Sequence, residues 1–215
     1  MSFVEERRII LLLFLLVSAP HAVSPVHLVG DSTWTLPTAA SLINEGNTDL
    51  DEYGDLIAIK DAYTLQQING HYYNFFPIGT SIVALPFVLA FDTLVDLALY
   101  LHPPLEERIR KLVINYIRAN PTSSDRQLQQ RKIDFYRQAP INSVYLMQKL
   151  EVVIASCVVG FFAVALYLLA RQALTPTAAM ALSLLVCYAT PVYSTASRGM
   201  WQHGPSIVAL TLTLY

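Results

Sequence analysis

Charge is missing from several long stretches of this chain and crowded into the segments between them, and that segregation limits the fold more than any other feature. Ile9–Gly30, Val152–Ala170 and Pro176–Ala196 carry no Asp, Glu, Lys or Arg, and Phe75–Leu101 is interrupted only by Asp92 and Asp96. A run of about 20 apolar helical residues is enough to cross a bilayer. Overall the chain is 54% hydrophobic and 14% charged, whereas soluble domains run near about a quarter charged. The pattern predicts an all-α integral membrane protein, a polytopic helix bundle with about four transmembrane helices. A net charge of −2 argues against a nucleic-acid partner.

The expected organisation is a single membrane domain over residues 1–215. A first membrane helix covers 9–29, and a long extracytoplasmic loop with interfacial helices covers 30–148. Further membrane helices follow at 150–171, 176–196 and 205–215. The last is expected to be truncated, because the run from Ile207 to Tyr215 is shorter than the about 20 residues a span requires; the chain then reads as the N-terminal part of a longer polypeptide. Pro176 suits the first position of a helix, where its missing N–H costs nothing. Ile9–Val17 behind Arg7 and Arg8 also resembles a signal-peptide core with Ala22 as a cleavage site. Pro20 is a poor neighbour for that cleavage, so the segment is read as a retained anchor. Cys157 and Cys187 have neither metal-ligand nor disulfide spacing and read as apolar core.

Orientation is contested within the sequence. The basic residues before Ile9 place Asp31 outside the cytoplasm. Nine Lys or Arg residues between His102 and Lys149 would, by the same rule, be cytoplasmic, which requires Phe75–Leu101 to cross. That puts the loop Ser197–Ser206 opposite Asp31. If Phe75–Leu101 instead lies along the interface, bent at Pro77 and Pro86, the loop shares a compartment with Asp31. Short helices are expected at Thr35–Glu45, stopping at Gly46, and at Leu105–Ala119 and Asp125–Arg137 around an Asn120-Pro121 turn. The basic, apolar face of Leu105–Ala119 suits a helix adsorbed on anionic lipid.

Several short motifs follow one another in a suggestive order. Gly30-Asp31 stands at the exit of the first apolar segment, ahead of Ala40-Ser41-Leu42-Ile43-Asn44-Glu45-Gly46 and Asp49-Leu50. Asn69-Gly70-His71-Tyr72-Tyr73-Asn74-Phe75-Phe76-Pro77-Ile78-Gly79 comes next, then Tyr167-Leu168-Leu169-Ala170-Arg171, Thr190-Pro191-Val192-Tyr193-Ser194 and Ser197-Arg198. This order resembles the N-terminal part of polyprenyl-phosphate-dependent glycosyltransferases with the GT-C fold, in the aminoarabinose-transferase and protein-mannosyltransferase-like group. Leu105–Pro140 looks like an insertion. The pattern departs from many relatives in one place: Ser32 follows Asp31 where a second acid often stands.

The resemblance implies transfer of a sugar from a polyprenyl-phosphate donor, a lipid-linked co-substrate, onto an extracytoplasmic acceptor. Such a reaction needs a base for the acceptor and donors for the departing phosphate. Asp31 is the candidate base. Lys60, Arg198 and His203 are the candidate phosphate partners, Arg being the better bidentate one. Tyr72 and Tyr73 suit stacking on a sugar or a lipid groove, and Trp201 completes a polar, aromatic loop with His203. Each has a plainer role available: helix-end solvation for Asp31, a snorkelling anchor for Arg198, an interfacial belt for the aromatics. Asp49, Asp51, Glu52 and Asp55 match no EF-hand spacing and read as solvated surface. No cofactor or metal ligand set is assigned, with a divalent ion left open. The expected setting is a multi-pass inner or plasma membrane protein among membrane lipids. The competing readings are a non-catalytic or degenerate membrane protein that binds lipid or a partner subunit, and a small transporter. Against transport stands the lack of ionisable residues, His apart, in the strongest apolar runs.

Overall fold

The computed structural model describes residues 3–24, 30–57, 64–121, 126–139 and 144–215. In chain order the elements are α1 (Phe3–Ala22), α2 (Thr35–Asn44), a 3-10 turn (Asp51–Tyr53), α3 (Gly54–Ile57), β1 (Leu65–Ile68), β2 (His71–Asn74), α4 (Gly79–Leu101), α5 (Pro104–Ala119), α6 (Arg126–Gln138), α7 (Val144–Ala170), α8 (Pro176–Ala189), a π-helical turn (Val192–Ala196) and α9 (His203–Leu214). Helix dominates, in line with the all-α expectation, and among the described residues one short antiparallel hairpin accompanies it. Gly79–Leu101 and Leu146–Ala170 are long and apolar enough to cross a membrane; α8 and α9 are shorter apolar helices. The chain divides into two units, Met1–Ser32 with Lys149–Tyr215, and Thr33–Gln148.

The first unit packs α1, α7 and α8 around Leu13, Val17, Val159, Phe162, Ala163, Tyr167, Ala179, Cys187 and Ala196. Gly160 lets α1 lie close to α7: a Cβ there would stand 2.9 Å from the Phe14 ring. Small residues at such crossings are a common means of close helix approach. The opposite faces expose Leu11, Leu12, Leu15, Phe161, Leu185 and Leu210. The first helix starts at Phe3 and ends at Ala22 rather than covering 9–29, and residues 25–29 lie outside the described set. Thr175 caps α8 through the Ala178 N–H, with Pro176 in the first turn as expected. Pro191 ends α8 two residues after Ala189. Thr190 before it is held extended, since a residue preceding proline is pushed out of the helical region, and the chain re-forms as the π-helical turn.

α7 begins eight residues before Val152, which the sequence took as the apolar start. Glu151 therefore lies inside the helix and inside the Leu146–Ala170 segment. An ionisable side chain thus stands within a membrane-length apolar segment, contrary to the expectation that weighed against a transporter.

The second unit has its own core of Trp34, Leu50, Tyr53, Leu56, Ile57, Val113, Ile117, Ile133 and Tyr136. α2 packs on α4 through small residues: Thr38, Ala39 and Ala40 are buried on one, Thr80, Ser81 and Ala84 on the other. α2 stops where Gly46 takes φ 72°, as its sequence suggested. The hairpin turns at Asn69 (φ 52°) and Gly70 (φ 92°), the left-handed pair that a type I′ turn demands. It is fastened to the preceding loop by Leu50 N–H donating to Tyr72 O at 2.8 Å and by a bridge between Asp49 and Tyr73.

α5 and α6 appear close to their expected limits, but their apolar faces are not free for lipid. Val113 and Ile117 of α5 and Ile133 and Tyr136 of α6 are buried in the core. Each helix also closes the other's end. Arg110 on α5 donates to the carbonyls of Tyr136, Arg137 and Ala139 at 3.0, 2.7 and 3.0 Å. Gln129 on α6 donates to the Ile117 carbonyl at 2.6 Å. The last carbonyls of a helix lack intrahelical partners, and a cation there also meets the negative end of the helix dipole.

Candidate functional site

The polar centre of the first unit is built by three segments far apart in sequence. Glu151, on the second turn of α7, is 7% exposed. Its carboxylate accepts the Met200 backbone N–H at 2.8 Å and a hydrogen bond from the Ser32 hydroxyl. Residue 32 is the immediate neighbour of Asp31, which is half-buried. A carboxylate from α7 thus stands beside the residue that follows Asp31, joined to it through the Ser32 hydroxyl.

Gly199 lies at the middle of this junction. A Cβ there would stand 2.6 Å from Ser32 Oγ, 3.1 Å from Glu151 Oε1 and 3.3 Å from Trp201 Nε1. The backbone approach that brings the Asp31 turn, α7 and the 198–203 loop together leaves no room for a side chain at 199 unless Ser32 or the loop shifts. Trp201 is half-buried with Nε1 enclosed and without a hydrogen-bond partner. His203 opens α9, is exposed, and stands edge-on to Trp201 with ring centroids 6.4 Å apart.

Arg198 is not a snorkelling anchor at the surface. It is 1% exposed. Its Nε donates to Tyr193 O at 3.1 Å and its Nη1 to His21 O at 3.2 Å. The guanidinium carbon lies 4.5 Å from the Tyr193 ring centroid, a cation–π contact. The π-helical turn supplies both the carbonyl and the ring, so a local break in α8 is what receives the arginine. Such π-turns recur at functional sites.

The other sequence candidates fall elsewhere. Tyr72 and Tyr73 are on β2 in the second unit, where Tyr72 packs against that unit's core. Lys60 lies outside the described residues. Also in the second unit, Asp51 accepts from the Tyr72 N–H at 3.0 Å and pairs with His71 Nδ1 at 2.6 Å. The Tyr72 N–H, then the His71 hydrogen bond, lowers the Asp51 carboxyl below its ordinary value, and Asp51 in turn raises His71. Glu52 accepts from Ser41, while burial pushes its carboxyl up. By distance, Asp49, Asp51 and His71, or Glu45, Asp49 and Glu52, form groups able to hold a metal ion.

Sequence reasoning missed Glu151 and His21. A lone carboxylate next to a long apolar run is a signal in itself, but taking it as the run's boundary removed it from view. No family model, curated protein or solved structure matches the chain.

Proposed function

We propose that this chain acts as a membrane glycosyltransferase, moving a sugar from a polyprenyl-phosphate donor to an extracytoplasmic acceptor, with Asp31 as general base. The observation that carries the reading is the Glu151 carboxylate joining residue 32, beside Asp31, to the loop holding Arg198, Trp201 and His203. A base for the acceptor and a cation for the leaving phosphate are the two groups the reaction requires, and both belong to one unit here. Trp201 and His203 then contact substrate, and the GT-C resemblance supplies the reaction class.

The same junction supports an orientation. Ser32, the start of α7 and the 198–203 loop meet on one carboxylate, so in this reading all three face one side of the membrane. Among the described residues α4 is the single helix between Ser32 and Glu151 long and apolar enough to cross. A lone crossing would part residues that touch; α4 is therefore assigned to the interface, with Ile82, Leu89, Leu94, Leu97 and Leu101 exposed for lipid. In a second reading the same exposed apolar face belongs to a non-catalytic lipid-binding protein.

Asp31→Asn in the full chain separates the two. Membrane vesicles supplied with labelled polyprenyl-phosphate hexose and pentose donors should lose transfer while membrane insertion is unchanged; retained transfer removes Asp31 from the base role. Single cysteines at Asp96 and Gln202, in a Cys157→Ser/Cys187→Ser background, should both react with an impermeant maleimide from the Asp31 side. Labelling of the two from opposite sides would refute the orientation.

A further inference from the structure

Arg198 carries a full positive charge into the interior of the first unit, and among the described residues it makes no ion pair. Its partners are two carbonyls and a ring face, and its Nη2 is enclosed with no hydrogen bond. A buried cation left without an anion is strongly unfavourable. An ionisable residue enclosed in a membrane protein marks a candidate functional site.

A second enclosed group lies against the same Tyr193 ring. His21, at the last turn of α1, is 0% exposed, and neither ring nitrogen has a hydrogen-bond partner. The imidazole is held edge-on between Tyr193 and Tyr188, with centroids at 4.9 and 5.2 Å, and its own carbonyl is bound by Arg198 Nη1. Tyr188 spends its hydroxyl on the Leu16 carbonyl, so it does not satisfy the ring. Nearly all buried polar groups in native proteins have partners, and exceptions call for an explanation such as an absent ligand. Among such exceptions in this chain, a guanidinium nitrogen and an imidazole belong to two side chains that pack on one tyrosine ring.

We propose that Arg198 and His21 form a seat for a phosphate group. The planar guanidinium fork matches phosphate oxygens, and an imidazole N–H supplies a second donor. A phosphate on a lipid carrier and free inorganic phosphate share this chemistry. The inference rests on the transferase reading only for favouring the lipid-borne source; the seat itself stands on the buried, unsatisfied donors.

The test is binding to the purified full chain in nanodiscs, with farnesyl phosphate, inorganic phosphate and farnesol as probes. Farnesyl phosphate should bind, farnesol should not, and Arg198→Gln should weaken binding by about tenfold or more, the scale of a lost charge-assisted pair. His21→Phe should weaken it severalfold. Competition by inorganic phosphate also supports the seat and marks the free ion as a ligand; its failure to compete marks the lipid-borne group. If Arg198→Gln does not fold, 15N-histidine spectra of the unmodified protein serve instead, the His21 signal being identified by its loss in His21→Phe. That signal should move on addition of farnesyl phosphate. Equal binding of farnesol, wild-type affinity in both variants, or an unmoved His21 signal at saturation would each overturn the proposal. Because the readout is binding, absence of any transfer by the unmodified chain would sink the enzyme reading and leave this result standing.

Discussion

The Ser32 hydroxyl and the Met200 backbone N–H share a single acceptor, the Glu151 carboxylate. Three segments far apart in the chain are thereby tied at one buried point, and the stability of that point is open to direct measurement.

Glu151→Ala strands both donors in an enclosed place. Leaving a buried donor unsatisfied costs about 1–3 kcal/mol, so a clear fall in melting temperature is expected. Glu151→Gln keeps a carbonyl oxygen for either donor and should lose much less. Thermal unfolding in detergent, followed by circular dichroism, compares the two; an equal loss would mean that the carboxylate charge, not its hydrogen bonding, holds the junction.

Gly199→Ala forces a methyl to 2.6 Å from Ser32 Oγ. Overpacking of this kind costs about 1–3 kcal/mol. The expected signature is displacement of the 198–203 loop, read as increased Trp201 fluorescence quenching by acrylamide. An Ala variant with wild-type stability and quenching would show that the loop can retreat freely.

The Asp51–His71 pair gives the hairpin a pH window. The raised His71 contributes stability that is complete below the ordinary imidazole value and disappears as pH climbs through its folded-state value. Asp51, lowered, contributes above the ordinary carboxyl value, and loses it as pH falls through its own folded-state value. Protection of the Tyr72 N–H from hydrogen exchange, corrected for the intrinsic pH dependence, should therefore peak between the two. In His71→Ala the alkaline limb of that profile should flatten and the acid limb should remain.

Arg110→Met removes three hydrogen bonds to the end of α6 while keeping most of the apolar stem. Bonds to a charged donor contribute about 1.5–3 kcal/mol when buried, and partial exposure of this side chain reduces that. Faster hydrogen exchange confined to residues 134–139 is the expected result. Exchange unchanged there would mean that packing of Ile133 and Tyr136 alone secures the helix end.

Much of this fold can be read from residue order. The amphipathic spacing of α5 and α6, the Gly46 stop and the Thr175-Pro176 start all act locally, so local patterns reveal them. The hairpin was equally local: Asn69-Gly70 is a strong turn pair, overlooked because the surrounding aromatics suggested a membrane interface. Glu151 and Arg198 are different. Their meaning comes from which distant groups surround them, and no spacing along the chain announces that Ser32 will face α7. His21 went unnoticed for the same reason, since its isolation from hydrogen-bond partners exists only in three dimensions.

The crossed end-closures of α5 and α6 have a consequence for shortening the stretch between Leu105 and Ala139. Removing α6 alone would bare the Ile117 carbonyl that Gln129 covers, and removing α5 alone would bare the three carbonyls that Arg110 covers. Removing both would still uncover Trp34, Leu50, Tyr53, Leu56 and Ile57, which share one core with the two helices. The helix pair is thus a lid on the second unit's interior, and no cut within it leaves that interior closed.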